Sequence, residues 1–114
     1  PPANVPEVFR TAACCLMPAR DEGFGLAAAE ALMQGVPVVA CLDGGGLADI
    51  VPPGGAGRMV AAAAGAIAAA LLEVLDDPAA RDAARVEGLR WRRRLSPTFV
   101  AEQCLAWYDR ALHA

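Results

Sequence analysis

The sequence predicts an α/β domain, a parallel sheet of about three strands with helices on its faces. Three observations predict it. Two continuous apolar runs, at 12–17 and 36–41, have the length of strands and lie against proline or glycine. Each is followed by a helix-forming segment. Turn residues separate most of the units.

Each element has its own warrant. Residues 5–11 suit one short helix. Residues 12–17 (Ala-Ala-Cys-Cys-Leu-Met) carry no charged or hydrogen-bonding side chain beyond thiols and stop at Pro18, as a strand buried on both faces does. Residues 26–34 are strong helix formers, and Gly35 stands where a left-handed C-terminal cap belongs. Residues 36–41 read as a second buried strand, with Pro37 tolerated at its start. Asp43-Gly44-Gly45-Gly46 turns the chain into a short helix at 47–51, residues 52–57 form a loop, and 58–60 a third, short strand. Residues 61–75 form a helix with Ile67, Leu71, Val74 and Leu75 on one face. Asp77-Pro78 is an N-cap followed by proline at the first helical position, opening a helix toward Trp91. Ser96-Pro97 repeats that signal before a last helix, whose apolar stripe is Phe99, Val100, Cys104, Trp107, Tyr108 and Ala111. This stripe is expected to be core or to cover a neighbouring domain.

The core thus spans 12–75 and the C-terminal helices 78–112, within one partial domain over 1–114. Three strands are few for a doubly wound sheet and resemble one half of a six-stranded Rossmann-like sheet. Such a half leaves a strand edge open. The chain is therefore expected to be part of a longer protein or to self-associate through that edge. Pro1-Pro2-Ala3-Asn4-Val5-Pro6 reads as a loop inside a protein rather than as a natural start.

Composition excludes several classes. The 114 residues suffice for one small domain, and the net charge of −3 argues against a nucleic-acid partner. All ten basic residues are Arg, which fits GC-rich coding rather than an Arg-specific role. Cys14, Cys15, Cys41 and Cys104 form no C-x-x-C, and there is one His, so neither a zinc site nor a redox motif is supported; no bound metal or cofactor is expected. The even cysteine count allows disulfides. Three of the four lie in apolar runs, though, and free thiols in a reducing cytoplasm are the expectation. No apolar run has the length of a membrane span.

The chemistry concentrates at Asp21-Glu22-Gly23-Phe24-Gly25-Leu26, which runs into a helix carrying Glu30. The loop lies at the carboxyl end of the first strand, where open α/β sheets bind ligands. Amides of Phe24, Gly25 and Leu26 at the helix start make an anion site. Gly44, Gly45 and Gly46 are expected to add a second nest of N–H groups, and two such turns suit a diphosphate. Glu22 and Glu30 are eight residues apart, a rise of ~12 Å on an ideal helix. That spacing does not exclude a glycosidase pair, whose carboxyls stand about 5–9.5 Å apart. It fits better with two acids gripping different ends of a long ligand, each accepting hydrogen bonds from sugar hydroxyls.

Glu22-Gly23-Phe24-Gly25-Leu26, Glu30-Ala31, Gly35-Val36-Pro37-Val38-Val39-Ala40 and Gly44-Gly45 resemble the donor half of the retaining "group 1" glycosyltransferases of the two-domain GT-B fold. The resemblance covers nearly the whole chain. It implies that Glu22 is the catalytic-site contact to the transferred sugar and that Glu30 holds the ribose. It further implies that Gly23, Phe24, Gly25 and Leu26, with Gly44 and Gly45, bind the rest of a UDP- or GDP-linked sugar donor, without metal. It places the acceptor domain and the first half-sheet before Pro1, so this chain alone is expected to be inactive. The implied setting is cytoplasmic, with peripheral contact to the inner membrane face. The family usually has Glu at the position of Asp49 and Thr or Ser at that of Cys41. These departures keep open a non-catalytic nucleotide-binding or scaffolding module of the same ancestry. A nicotinamide-dependent dehydrogenase is the third reading, weakened by the missing third glycine. Arg20 beside the motif reads as surface, and Arg90, Arg92, Arg93 and Arg94 as a solvated helix end.

Overall fold

The computed structural model describes residues 4–51 and 54–114. Its elements are α1 (Val5–Thr11), β1 (Cys15–Met17), α2 (Leu26–Met33), β2 (Val38–Cys41), α3 (Leu47–Ile50), β3 (Gly57–Val60), α4 (Ala64–Leu75), α5 (Pro78–Arg94) and α6 (Pro97–Leu112). The parts of the expected loops at Pro1, Pro2 and Ala3 and at Pro52 and Pro53 lie outside the described residues.

The strands form one parallel sheet in the order β1-β2-β3. Cys15 pairs with Val38 and Met17 with Ala40, while Val38 pairs with Gly57 and Cys41 with Val60. Central β2 is buried along its whole length, as its unbroken apolar run requires. Alternation divides its side chains between the two faces. Val38 and Ala40 join Ala28, Leu32, Leu47, Ile50, Ala84 and Trp91 in one core. Val39 joins Ala70, Val74 and Ala80 in the other.

Local chemistry sets the ends of the elements. Gly35, at φ 72°, closes α2: its amide donates to the Leu32 carbonyl at 2.8 Å, and that of Val36 to Ala31 at 2.9 Å. This pair of bonds is the Schellman arrangement, which a left-handed glycine permits. Asn4, Asp77 and Ser96 accept from the amides of Glu7, Ala79 and Phe99, each with proline in the first turn of the helix it caps. Helices α2 and α5 approach closely at Gly88, where a Cβ would overlap the Leu32 carbonyl.

Three expectations are corrected. Two strands are shorter at their starts than expected, β1 beginning at Cys15 and β2 at Val38 after Val36 and Pro37, while β3 starts one residue earlier, at Gly57. Pro37 has no N–H to give a ladder, though its carbonyl accepts from the Cys15 amide at 2.9 Å. Helix α4 begins at Ala64, because the alanines before it offer no side-chain cap. It buries Ala70 and Val74, leaving Leu75 54% exposed. The stripe on α6 is not core of this chain: none of its residues is buried, and Trp107 and Tyr108 are 68% and 69% exposed. Their helix packs against α5 alone among the stronger contacts and contributes to an elongated shape of 53 × 30 × 28 Å. Among the described residues no helix is long and apolar enough to cross a membrane.

Candidate functional site

Between β1 and α2 the chain forms a loop at the carboxyl ends of β1 and β2, facing the loop after β2. Backbone bonds join the two loops. The Asp21 amide donates to the Asp43 carbonyl at 3.0 Å, that of Glu22 to Gly44 at 3.1 Å, and that of Gly46 to Glu22 at 2.6 Å. Glu22 and Gly45 thereby form an isolated parallel bridge, one step of sheet pairing beyond the strands. Outside the backbone bonds, Arg20 Nε meets Asp43 Oδ2 at 3.0 Å. Asp21 takes a left-handed conformation at φ 47°, uncommon for a residue with a Cβ.

The glycines after β2 serve this contact. A Cβ on Gly45 would stand 2.6 Å from the Glu22 carbonyl oxygen, and one on Gly46 would overlap that of Gly23. Their amides are largely spent inside the protein. Gly44 donates to Cys41 at 2.9 Å and Gly46 to Glu22. Of the expected second nest, the Gly45 amide alone donates to no backbone acceptor among the described residues.

The helix start differs. Gly25 caps α2 at φ 86° with no side-chain hydrogen bond, and a Cβ there would come within 2.5 Å of Leu47 Cδ2. Its carbonyl takes the amides of Ala28 and Ala29. The amides of Gly23, Phe24, Gly25, Leu26 and Ala27 donate to no backbone acceptor among the described residues. Phe24 and Leu26 are exposed and Gly25 is buried. This is an uncapped positive helix end open to an anion.

The two acids stand in different surroundings. Glu22 is half-buried within the loop contact. Glu30, also half-buried, lines a groove of about 300 Å³ between α1 and α2 with Val5, Pro6, Phe9, Met33, Gln34 and Arg92. Neither takes part in a salt bridge among the described residues. Asp49 is exposed on α3, near Glu87, Arg90, Trp91 and Arg94. Cys41 is buried at the end of β2. Among the described residues no three His, Cys, Asp or Glu side chains converge as a metal set.

Sequence reasoning missed two features here. Trp91 reaches the motif: its indole lies 5.9 Å from the Phe24 ring, at 85°. No spacing in the sequence signals a contact between a loop and a helix so far along the chain. The arginines at the end of α5 are exposed, as expected, but they also make contacts that the sequence did not signal. Arg90 pairs with Glu87 at 3.0 Å, and Arg92 Nη2 donates to the Met33 carbonyl at 2.7 Å, satisfying the end of α2. Arg93 and Arg94 lie over the Phe99 and Trp91 rings at 5.9 and 5.4 Å. A concavity of about 520 Å³ lies away from the motif, on the exposed apolar side of α6.

Comparison with known proteins agrees with the fold. The family described as glycosyl transferases group 1 matches residues 1–91. A D-inositol 3-phosphate glycosyltransferase of Arthrobacter sp. (strain FB24) is 40% identical over 108 residues, covering 86% of this chain and 25% of the relative. The enzyme of that name from Corynebacterium glutamicum (strain R) is 34% identical over 113 residues, covering 98% and 27%. Among solved structures, sucrose-phosphate synthase from Thermosynechococcus elongatus superposes with a TM-score of 0.80 at 32% identity, over 93% of this chain and 27% of that one. The chain spans about a quarter of the length of these relatives. A parallel three-stranded sheet flanked by helices, matched to a glycosyltransferase of the GT-B fold, carries the motif at its strand ends. The chain belongs to the group 1 glycosyl transferases.

Proposed function

We propose that this chain is the donor-binding part of a retaining glycosyltransferase that moves a sugar from a UDP- or GDP-linked donor to an acceptor. The observation that carries the reading is the uncapped start of α2, with Glu22 in the loop before it and Glu30 in the groove beside α1. A diphosphate is the group such an N-terminus favours. In this reading the amides of residues 23–26 receive it, and that of Gly45 adds one donor from the facing loop. Gly44 shapes that loop, since its own amide is spent. Glu30 accepts from the ribose hydroxyls in the groove beside α1, and Glu22 from the transferred sugar.

Transfer breaks the bond between the sugar and the diphosphate, and negative charge grows on the leaving group. Preorganised N–H donors stabilise that charge without reorganising at the moment of reaction. The reading requires no metal. The remaining strands pair on the free edge of β1, and the acceptor domain belongs to the longer protein. Relatives named for D-inositol 3-phosphate make a phosphorylated inositol the first acceptor to try.

The test is the intact longer gene product, supplied with UDP- and GDP-sugars and that acceptor. Turnover with retained anomeric configuration supports the reading, and Glu30→Gln lowers donor affinity. A long chain that binds UDP or GDP but transfers nothing favours the non-catalytic module, the reading that Asp49 and Cys41 keep open.

A further inference from the structure

We infer that Trp91 is a positioning residue for the 23–26 segment, acting through Phe24; the inference rests on the donor-site reading of that segment.

The segment has few anchors. The Glu22 backbone is fixed against the facing loop. Gly23, next to it, has open space where a side chain would stand. Gly25 contributes no side chain and holds a left-handed turn. Phe24 is therefore the one side chain between two glycines that can fix the path of the amides. Phe24 is 45% exposed, so burial alone does not orient its ring. What it meets is the edge or face of Trp91, with centroids 5.9 Å apart and planes at 85°, the T-shaped arrangement that aromatic quadrupoles favour.

Trp91 suits this task because it is itself fixed. It is 7% exposed and belongs to the same core as Leu32, Leu47 and Ile50. The Arg94 guanidinium lies over its ring at 5.4 Å, a cation–π contact. Leu47 and Ile50 are also the side chains nearest a Cβ built on Gly25. The segment thus rests on a floor made by α3 and α5, with Trp91 supplying a directional side-chain contact.

The test uses the full 114-residue chain, with Trp91→Leu, Trp91→Phe, Phe24→Leu and the double variant W91L/F24L. Backbone amide NMR reads the order of residues 23–26, and titration with UDP and GDP reads binding. Positioning predicts that W91L loosens the amides of Gly23, Phe24 and Gly25 while those of α2 beyond its first turn keep their order. UDP or GDP affinity falls about two- to tenfold, the range expected from one aromatic pair. W91F restores most of the order. F24L, at an exposed position, gives the same loosening and carries the test if W91L does not fold. The double variant is no worse than the singles.

A folded W91L or F24L with unchanged order at residues 23–26, or single effects that simply add, overturns the inference. Loosening in a chain that binds neither UDP nor GDP even as wild type upholds the positioning and counts against the donor reading instead.

Discussion

The Gly46 amide donates to the Glu22 carbonyl at 2.6 Å, tying the loop after β2 to the acid of the motif. A Cβ on Gly46 would overlap the Gly23 carbonyl, whereas one on Gly23 meets open space. Gly46→Ala is therefore expected to cost about 1–3 kcal/mol in urea unfolding, as forced overpacking does. Gly23→Ala changes stability by roughly 0.5 kcal/mol or less, yet weakens UDP or GDP binding by crowding the amides. Equal stability losses for the two variants would contradict the loop contact.

Gly88 gives a second packing test, remote from the site. Alanine in a helix interior normally gains about 0.5–1 kcal/mol over glycine. Here the Cβ meets the Leu32 carbonyl of α2, so Gly88→Ala is expected to destabilise the fold despite that gain. Thermal unfolding checks the sign, and a raised Tm would show that α2 and α5 do not approach as described.

The two tryptophans make α6 measurable. Trp91 is 7% exposed and Trp107 68%. In single-tryptophan variants, acrylamide should quench Trp107 readily and Trp91 poorly. Trp107→Ser should leave the stability of this chain within about 0.5 kcal/mol, as exposed substitutions do. In the longer protein the same change is expected to cost more, if the stripe covers a neighbouring domain there.

These tests fall where the sequence was least legible. Three strands, the capped starts of α5 and α6, and Gly35 were readable because each follows from residues adjacent in the chain. The α6 stripe was readable as apolar but not as exposed, since periodicity names a face and not what lies against it. The Gly44 and Gly46 amides looked available because glycines suit a nest. Their use depends on the pairing of Glu22 with Gly45, which no local pattern encodes. Trp91 was placed only as the end of a helix, and its contact with Phe24 depends on how α5 crosses α2.

Burial raises the thiol pKa of both Cys14 and Cys15, by penalising the thiolate; the charge of Cys14 adds to the effect on Cys15, and backbone hydrogen bonds from Val39 and Cys15 offset part of it on Cys14. A raised folded-state pKa gives stability that is complete below the unfolded value and lost as pH rises past it, because the unfolded chain ionises first. The urea midpoint should therefore fall as pH climbs above 9.0, and fall less in C14A/C15A. At pH 8, exposed Cys104 should react with a thiol reagent before Cys14, Cys15 and buried Cys41. Faster labelling of Cys14 or Cys15 would contradict this burial.

The donor-site assignment is tested most directly by titrating the isotopically labelled chain with UDP, GDP and NAD while following its backbone amides. The account predicts that UDP or GDP shifts the amides of Gly23, Phe24, Gly25, Leu26 and Gly45 together with resonances around Glu30. Glu30→Gln should weaken that binding about tenfold or more, the worth of a hydrogen bond to a charged group. Shifts from NAD alone, or shifts from UDP and GDP confined to the α6 face, would contradict it.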